Sequence, residues 1–235
     1  MEDAVGLRPT LIDPRTAPAR RPVSGPTVPE LERHGSPAAG RAVLLLPGYA
    51  DEPRVFGDQL DLIDPDGRWY VVIARAVHTG PHGPMWYFAD ENGPVPTQLA
   101  DAVAAVAAAL DTVATEATLP RDDVVLAGHS QGGALCLAAA LDPGTGAVPR
   151  AVACLGGYLP DRDDGQLDLE RLAGTPVLVA HSPDDETIDY LRGRSAAKAL
   201  GRAGADVRFV EVAGQHRLGP DLVTPLGAFL AELAG

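Results

Sequence analysis

Ser130 stands between Gly128 and Gly132 in the stretch VVLAGHSQGGALCLAAA, residues 124 to 140, where an apolar run gives way to an Ala- and Leu-rich segment. A serine hydroxyl becomes a competent nucleophile only when a base takes its proton, and the base needs an acid to fix its tautomer. Two later loops hold candidates for these partners. His181-Ser182-Pro183-Asp184-Asp185-Glu186 follows the apolar run Val177 to Ala180, and Gly214-Gln215-His216 follows Val207 to Val210. The order Ser, Asp, His is the chain order associated with acyl-transfer chemistry on an α/β sheet. Either Asp184 or Asp185 could supply the carboxylate on this evidence.

The elements that would position these residues are legible from periodicity. The chain predicts strands at Ala42 to Leu46, Tyr70 to Ala74, Val124 to Ala127, Ala151 to Leu155, Val177 to Ala180 and Val207 to Val210. Helices are predicted near Phe56 to Ile63 and at Thr97 to Ala117, Gln131 to Leu141, Tyr190 to Ala203 and Pro220 to Ala234. Strands alternating with helices make a mostly parallel sheet covered on both faces, with its sites in loops at the carboxyl ends of the strands. Ser130 then sits on the sharp turn from strand to helix, where tiny neighbours are needed because the backbone is strained and tightly packed. The segment between Leu155 and Val177 is too short to build a large cap domain, which predicts an open groove at the site.

Length and composition fit one domain of 39–235 preceded by a Pro/Arg-rich arm of 1–38 that has no helical or strand period. With 46% hydrophobic residues in 235 the chain can bury a sizeable core. The N-terminal stretch lacks the charged-then-apolar order of a signal peptide, and no run of eighteen or more apolar residues occurs. A cytoplasmic protein without membrane insertion is expected, and the sequence is compatible with a homodimer. A net charge of −13, with one lysine among nineteen basic residues, argues against nucleic acid as a partner. Cys136 and Cys154 fall in apolar runs and are expected as buried free thiols, and no metal-ligand spacing appears.

The motifs resemble those of the phospholipase/carboxylesterase family of α/β-hydrolases, which includes acyl-protein thioesterases. GHSQGG is similar to that family's Gly-Phe-Ser-Gln-Gly-Gly elbow, and LLLPGYADEP stands where it has Leu-His-Gly-x-Gly-Asp. HSPDDETI is similar to its His-Gly-x-x-Asp-x-x-Val loop, which selects Asp185 over Asp184, and VAGQHRL resembles its Gly-x-x-His ending with one residue fewer. Two departures stand out. Pro47 replaces the His before Gly48, and Ser182 replaces the Gly after His181. The resemblance implies an α/β-hydrolase fold and a serine hydrolase of small-molecule carboxylic esters or thioesters that needs no cofactor. Its triad would be Ser130, His216 and Asp185. The backbone N–H groups of Gln131, the residue after the nucleophile, and of Tyr49, in the loop after the first strand, would form the oxyanion hole. The same triad could serve acyl transfer, cyclisation or elimination in a biosynthetic pathway. A catalytically silent binding protein on the same scaffold is a third reading, opposed by the presence of all three triad residues.

Other residues invite a function and also have plainer readings. His129 and His181 read as packing or hydrogen-bonded structure beside the site, and His34 as a surface residue. Asp161 to Asp168 reads as a solvated loop. Met85, Trp86, Tyr87 and Phe88 concentrate aromatic area in the Gly/Pro-rich loop 77–96. They are expected either to plug that loop onto the core or to form an apolar substrate wall beside Ser130, with His78 and Tyr158 as further substrate-binding candidates.

Overall fold

Five uninterrupted β-branched and aliphatic runs form the interior of one seven-stranded sheet, because strands covered on both faces need apolar residues at every position. The computed structural model describes residues 28–90, 93–160 and 167–235. The sheet strands are β1 (Leu31–His34), β2 (Ala42–Leu46) and β3 (Tyr70–Ala74), and later β8 (Val124–His129), β9 (Ala151–Leu155), β10 (Pro176–His181) and β11 (Asp206–Glu211). Between them lie two small hairpins, β4 (His78–Gly80) with β5 (Gly83–Met85) and β6 (Ala89–Asp90) with β7 (Gly93–Pro94). The sheet order is β1-β3-β2-β8-β9-β10-β11, parallel throughout except for β1.

Alternate residues of each strand feed opposite cores. Ala42, Leu44 and Leu46 pack on the face covered by α3 (Pro96–Ala117), α4 (Gln131–Leu141) and α5 (Tyr190–Arg202). Val43 and Leu45 pack on the face covered by α1 (Arg54–Gly57), α2 (Leu60–Ile63) and α6 (Pro220–Ala234). By length and composition α3 is apolar enough to cross a membrane, but Leu99, Val103, Val106, Leu110 and Val113 recur at helical spacing and are buried in the first core. Cys136 and Cys154 are buried free thiols, as expected.

Two expectations are corrected here. The arm was read as reaching residue 38, but Leu31–His34 is an edge strand of the sheet, pairing antiparallel with β3. Its consecutive charged residues, Glu32 and Arg33, hide it from an apolar-run criterion, and an edge strand tolerates them because one flank is open to water. The bidentate contact of Arg33 with Glu116, which also accepts a hydrogen bond from the Tyr70 hydroxyl, fastens that edge to α3. The single helix expected near Phe56 to Ile63 is instead two one-turn helices, α1 and α2, separated by Asp58 and Gln59. Residues 1–27 of the arm and 161–166 of the acidic run lie outside the described residues. Between β9 and β10, the described residues contain one 3₁₀ turn, Leu169–Leu172.

Candidate active site

The turn from β8 to α4 forces Ser130 into φ +53° and ψ −117°, a conformation that L-residues adopt at a cost of about 1–3 kcal/mol. Glycine on either side makes the turn possible. A Cβ at Gly132 would stand 2.1 Å from the Leu46 carbonyl oxygen and 2.4 Å from that of Pro47, and one at Gly128 would stand 2.5 Å from the Gly132 backbone. The helix therefore starts almost in contact with the end of β2. Ser130 N–H donates to the Leu155 carbonyl (2.8 Å), which ties the turn to β9 as well.

Three loops at the carboxyl ends of β8, β10 and β11 converge on this serine. His216 Nε2 lies 2.7 Å from Ser130 Oγ, and His216 Nδ1 lies 2.6 Å from Asp185 Oδ2. A carboxylate can only accept, so Nδ1 carries the proton and Nε2 presents its lone pair to the serine hydroxyl. Asp185 is built to stay ionised. Burial raises its pKa, but the hydrogen bonds from His216 and from the Ile188 and Thr187 N–H groups (2.8 and 2.9 Å to Oδ1) outweigh that and hold it below the usual carboxylate range. Asp184 is exposed, with its backbone N–H on Ser182 Oγ (3.1 Å), so of the two carboxylates only Asp185 meets His216.

Two residues support this arrangement, His181, which reads as structural in sequence, and Ser182, which departs there from the related motif. His181 is fully buried, with Nε2 3.2 Å from Asp185 Oδ2 and 3.1 Å from the Ile188 carbonyl. Both partners are acceptors, so His181 donates to them. Gly193 gives its ring room, since a Cβ there would stand 2.3 Å from His181 Nδ1. Ser182 donates its hydroxyl proton to the Gly214 carbonyl. The serine that replaces glycine after His181 thus ties the acid loop to the loop carrying His216.

On the opposite side, Pro47 to Asp51 leaves β2 and passes under the hairpin β4-β5. Ala50 N–H donates to the Pro84 carbonyl (2.7 Å), and Ala50 takes φ +62°. Tyr49 is 39% exposed at the rim, its ring edge-on to His82. The Gln131 N–H opens α4, where no intrahelical acceptor exists for it. Its side chain holds the neighbouring loop: Gln131 Oε1 accepts from Trp86 N–H (2.8 Å), and Nε2 donates to the Tyr87 carbonyl (2.7 Å).

The aromatic cluster is not brought to the cleft. Trp86 and Tyr87 are completely buried and Met85 nearly so, all within the molecule's interior, and Trp86 Nε1–H donates to the Pro47 carbonyl (2.8 Å). Phe88 is half-buried, its N–H on Gln98 Oε1 (2.6 Å). His78 pairs with Met85 across β4 and β5, and Tyr158 is buried beneath the Arg192 guanidinium, 3.8 Å from its ring centroid. Of the two expectations for this cluster, a plug of the loop onto the core or a wall beside Ser130, its burial matches the plug: backbone and indole hydrogen bonds fold the loop inward, so its apolar rings clamp the elbow and the β2 loop together.

The cleft beside Ser130 encloses about 320 Å³ and is lined by Tyr49, Asp51, Val55, His129, Ser130, His216, Arg217 and Leu218. Asp51, Val55, Arg217 and Leu218 were not anticipated. Asp51 had a signal, being a carboxylate three residues beyond Gly48 in a loop that leaves a buried strand. Arg217 and Leu218 had none, since only the fold of the His216 loop brings them, Arg217 still exposed, to the edge of the cleft. His129 is 3% exposed, its ring tilted against that of His216 with centroids 5.2 Å apart.

Comparison with known proteins accords with this picture. The family model described as Phospholipase/Carboxylesterase matches residues 29–234. No curated protein matches the chain. Among solved structures, esterase PE8 is similar at 22% identity over 88% of this chain and 99% of its own, with a TM-score of 0.73. A carboxylesterase from Mesorhizobium loti is 24% identical over 82% of this chain and 88% of its own, with a TM-score of 0.70. Arabidopsis thaliana SOBER1 is 22% identical over 82% and 98%, with a TM-score of 0.66. At these identities the likeness is one of fold.

Proposed function

The chain belongs to the phospholipase/carboxylesterase family and is an enzyme of the serine hydrolase type; from that premise we propose that it hydrolyses small carboxylic esters, or thioesters, through an acyl-enzyme on Ser130. The observation that carries this reading is the unbroken chain Ser130 Oγ, His216 Nε2, His216 Nδ1, Asp185 Oδ2, with links of 2.7 and 2.6 Å, on a serine held at positive φ.

Ser130 Oγ attacks the ester carbonyl carbon as His216 Nε2 takes its proton. Asp185, ionised and anchored by the Thr187 and Ile188 N–H groups and His181, stabilises the imidazolium without accepting its proton. Negative charge gathers on the former carbonyl oxygen, where the N–H groups of Tyr49 and Gln131 receive it; one such donor is worth about 3 kcal/mol of barrier. His216 then returns the proton to the departing alcohol or thiol as the tetrahedral species collapses. Water, deprotonated by the same imidazole, attacks the acyl-serine, and a second collapse releases the acid. Positioning comes from strand ends and buried hydrogen bonds, so little reorganisation is required at the moment of reaction.

Replacement of Ser130 tests the assignment. Ser130→Ala is expected to abolish turnover of a 4-nitrophenyl ester and labelling by a fluorophosphonate, with a Tm equal to or above that of the wild type. Loss of one triad member costs several orders of magnitude in rate, so a clean variant that keeps most of its esterase activity would remove Ser130 from the nucleophile's role.

A further inference from the structure

The acyl-transfer steps leave the two permanently charged side chains of the cleft, Asp51 and Arg217, unused. Arg217 directly follows the catalytic His216 and is exposed at the edge of the cleft that holds Ser130. Its N–H donates to the Gln215 carbonyl (2.8 Å), closing a tight turn centred on His216. On one flank His216 is gripped by Ser130 and Asp185, and on the other Leu218 packs against the core covered by α6. The backbone that carries Arg217 is therefore held from both sides, while its side chain stays in water at the mouth of the cleft.

The charge balance of the chain makes a free cation at this place informative. Acidic residues outnumber lysine and arginine by 32 to 19, and Arg33, Arg68, Arg75, Arg121 and Arg208 are all paired with carboxylates. Among the described residues Arg217 has no ion pair and no side-chain hydrogen bond, not even with Asp51 of the same cleft. Asp51 instead places Oδ2 3.5 Å from Nδ1 of the buried His129. The two charges enter the cleft on different loops, Asp51 after β2 and Arg217 after β11, and stay apart.

The mechanism decides which half of a substrate meets the guanidinium. His216 Nε2 hands its proton to the departing alcohol, so the alcohol oxygen lies within hydrogen-bond reach of that nitrogen. The residue bonded to His216 at the mouth of the cleft then stands beside the alcohol half. A guanidinium presents a planar fork of N–H donors, and a carboxylate matches it oxygen for oxygen. One such cation balances a monoanion. A phosphate monoester, carrying about −1.5 to −2 at pH 7, would leave charge uncompensated in a cleft that also holds Asp51. An anionic substrate also approaches a chain of net charge −13, and a local cation offsets that repulsion where the ester must dock. The cleft itself, about 320 Å³, is at the small end for ligand sites and suits a short ester.

We propose that Arg217 is a specificity-determining residue, and that the preferred substrates are short esters whose alcohol half carries a carboxylate, the O-acyl derivatives of small hydroxy acids. The proposal rests on the ester-hydrolase reading of Ser130.

Carboxymethyl butyrate and carbamoylmethyl butyrate exchange that carboxylate for a neutral amide, and butyrate release from each is followed in a pH-stat. The ratio of kcat/KM, charged ester over neutral, is expected to be about threefold to tenfold higher in the wild type than in Arg217→Gln, and lower again in Arg217→Glu. Because every protein meets the same two esters, their intrinsic reactivities cancel in this comparison. Added NaCl should draw the ratios of the three proteins together. Fluorophosphonate labelling verifies the site of each variant; if one variant loses the label, the other carries the test. A ratio indifferent to substitution in the labelled variants refutes the assignment, as does a labelled wild type that hydrolyses neither ester, and both results leave the serine hydrolase standing. Preference for 2-phosphoethyl butyrate over the carboxymethyl ester also refutes the proposed class, in favour of a phosphate. A wild type that takes no fluorophosphonate and turns over none of these esters overturns the ester-hydrolase reading, and the proposal with it.

Discussion

Trp86→Phe separates the clamp seen in the structure from the substrate wall suggested by the sequence. The indole is completely buried and its Nε1–H donates to the Pro47 carbonyl, 2.8 Å away, at the start of the loop that contains Gly48 and Tyr49. Phenylalanine keeps most of the apolar volume but leaves that carbonyl without its donor, at a cost of about 1–3 kcal/mol for an unsatisfied buried group. The smaller ring also leaves a gap of about 40 Å³, which at about 24 cal/mol per Å³ adds close to 1 kcal/mol. The expected loss is therefore about 2–4 kcal/mol, or a fall in Tm of about 5–12 °C for a domain of this size. Thermal and urea unfolding followed by circular dichroism measure it, alongside kcat/KM for 4-nitrophenyl esters from acetate to octanoate. Because Trp86 does not line the cleft, the chain-length profile should keep its shape while all members fall together as the Pro47 loop loosens. Undiminished stability combined with an altered chain-length preference would refute the clamp and return Trp86 to the substrate wall.

Asp185→Asn is expected to lower kcat/KM by about 10³-fold or more, since the amide cannot stabilise the imidazolium, whereas exposed Asp184→Asn should change it less than about threefold; comparable losses in steady-state kinetics would dissolve the assignment. Gly132→Ala drives a Cβ into the Leu46 and Pro47 carbonyls, so a loss of about 3 kcal/mol or more in urea unfolding is expected, and a neutral result would mean the elbow is looser than the geometry requires. Burial holds the folded-state pKa of His129 below its ordinary value of 6.5, so the unfolded chain binds a proton that the folded chain refuses as the pH falls below that value. Its stabilising contribution is full above that value and diminishes below it, and His129→Phe should flatten the fall in stability as the pH drops below about 6.5; parallel profiles for the two proteins would contradict this.

What the sequence determined by itself was local chemistry with a strong period. Buried parallel strands must be apolar at every position and a strained turn must be flanked by glycine, so β2, β3, β8, β9 and β10 and the elbow at Ser130 were legible from residue type alone. The loop after β10 could be located because it follows such a strand, and the loop after β11 because Val207 to Val210 still reads as a strand although β11 lies at the partly exposed sheet edge; the approach of His216 to Ser130 agrees with that reading. Edge positions were less legible: β1 has a single apolar residue, Leu31, followed by Glu32, Arg33 and His34, and is held by Arg33, Glu116 and Tyr70 from three different elements. Only the tertiary structure decided the direction in which aperiodic loops turn their side chains. Met85 to Phe88 could have faced the cleft or the interior with the same sequence, and long-range hydrogen bonds from Trp86 to Pro47 and Gln131 turn the indole inward. The polar character of the cleft follows from the same cause, since Asp51, His129 and Arg217 are distant in sequence and meet only where three strand ends meet in space.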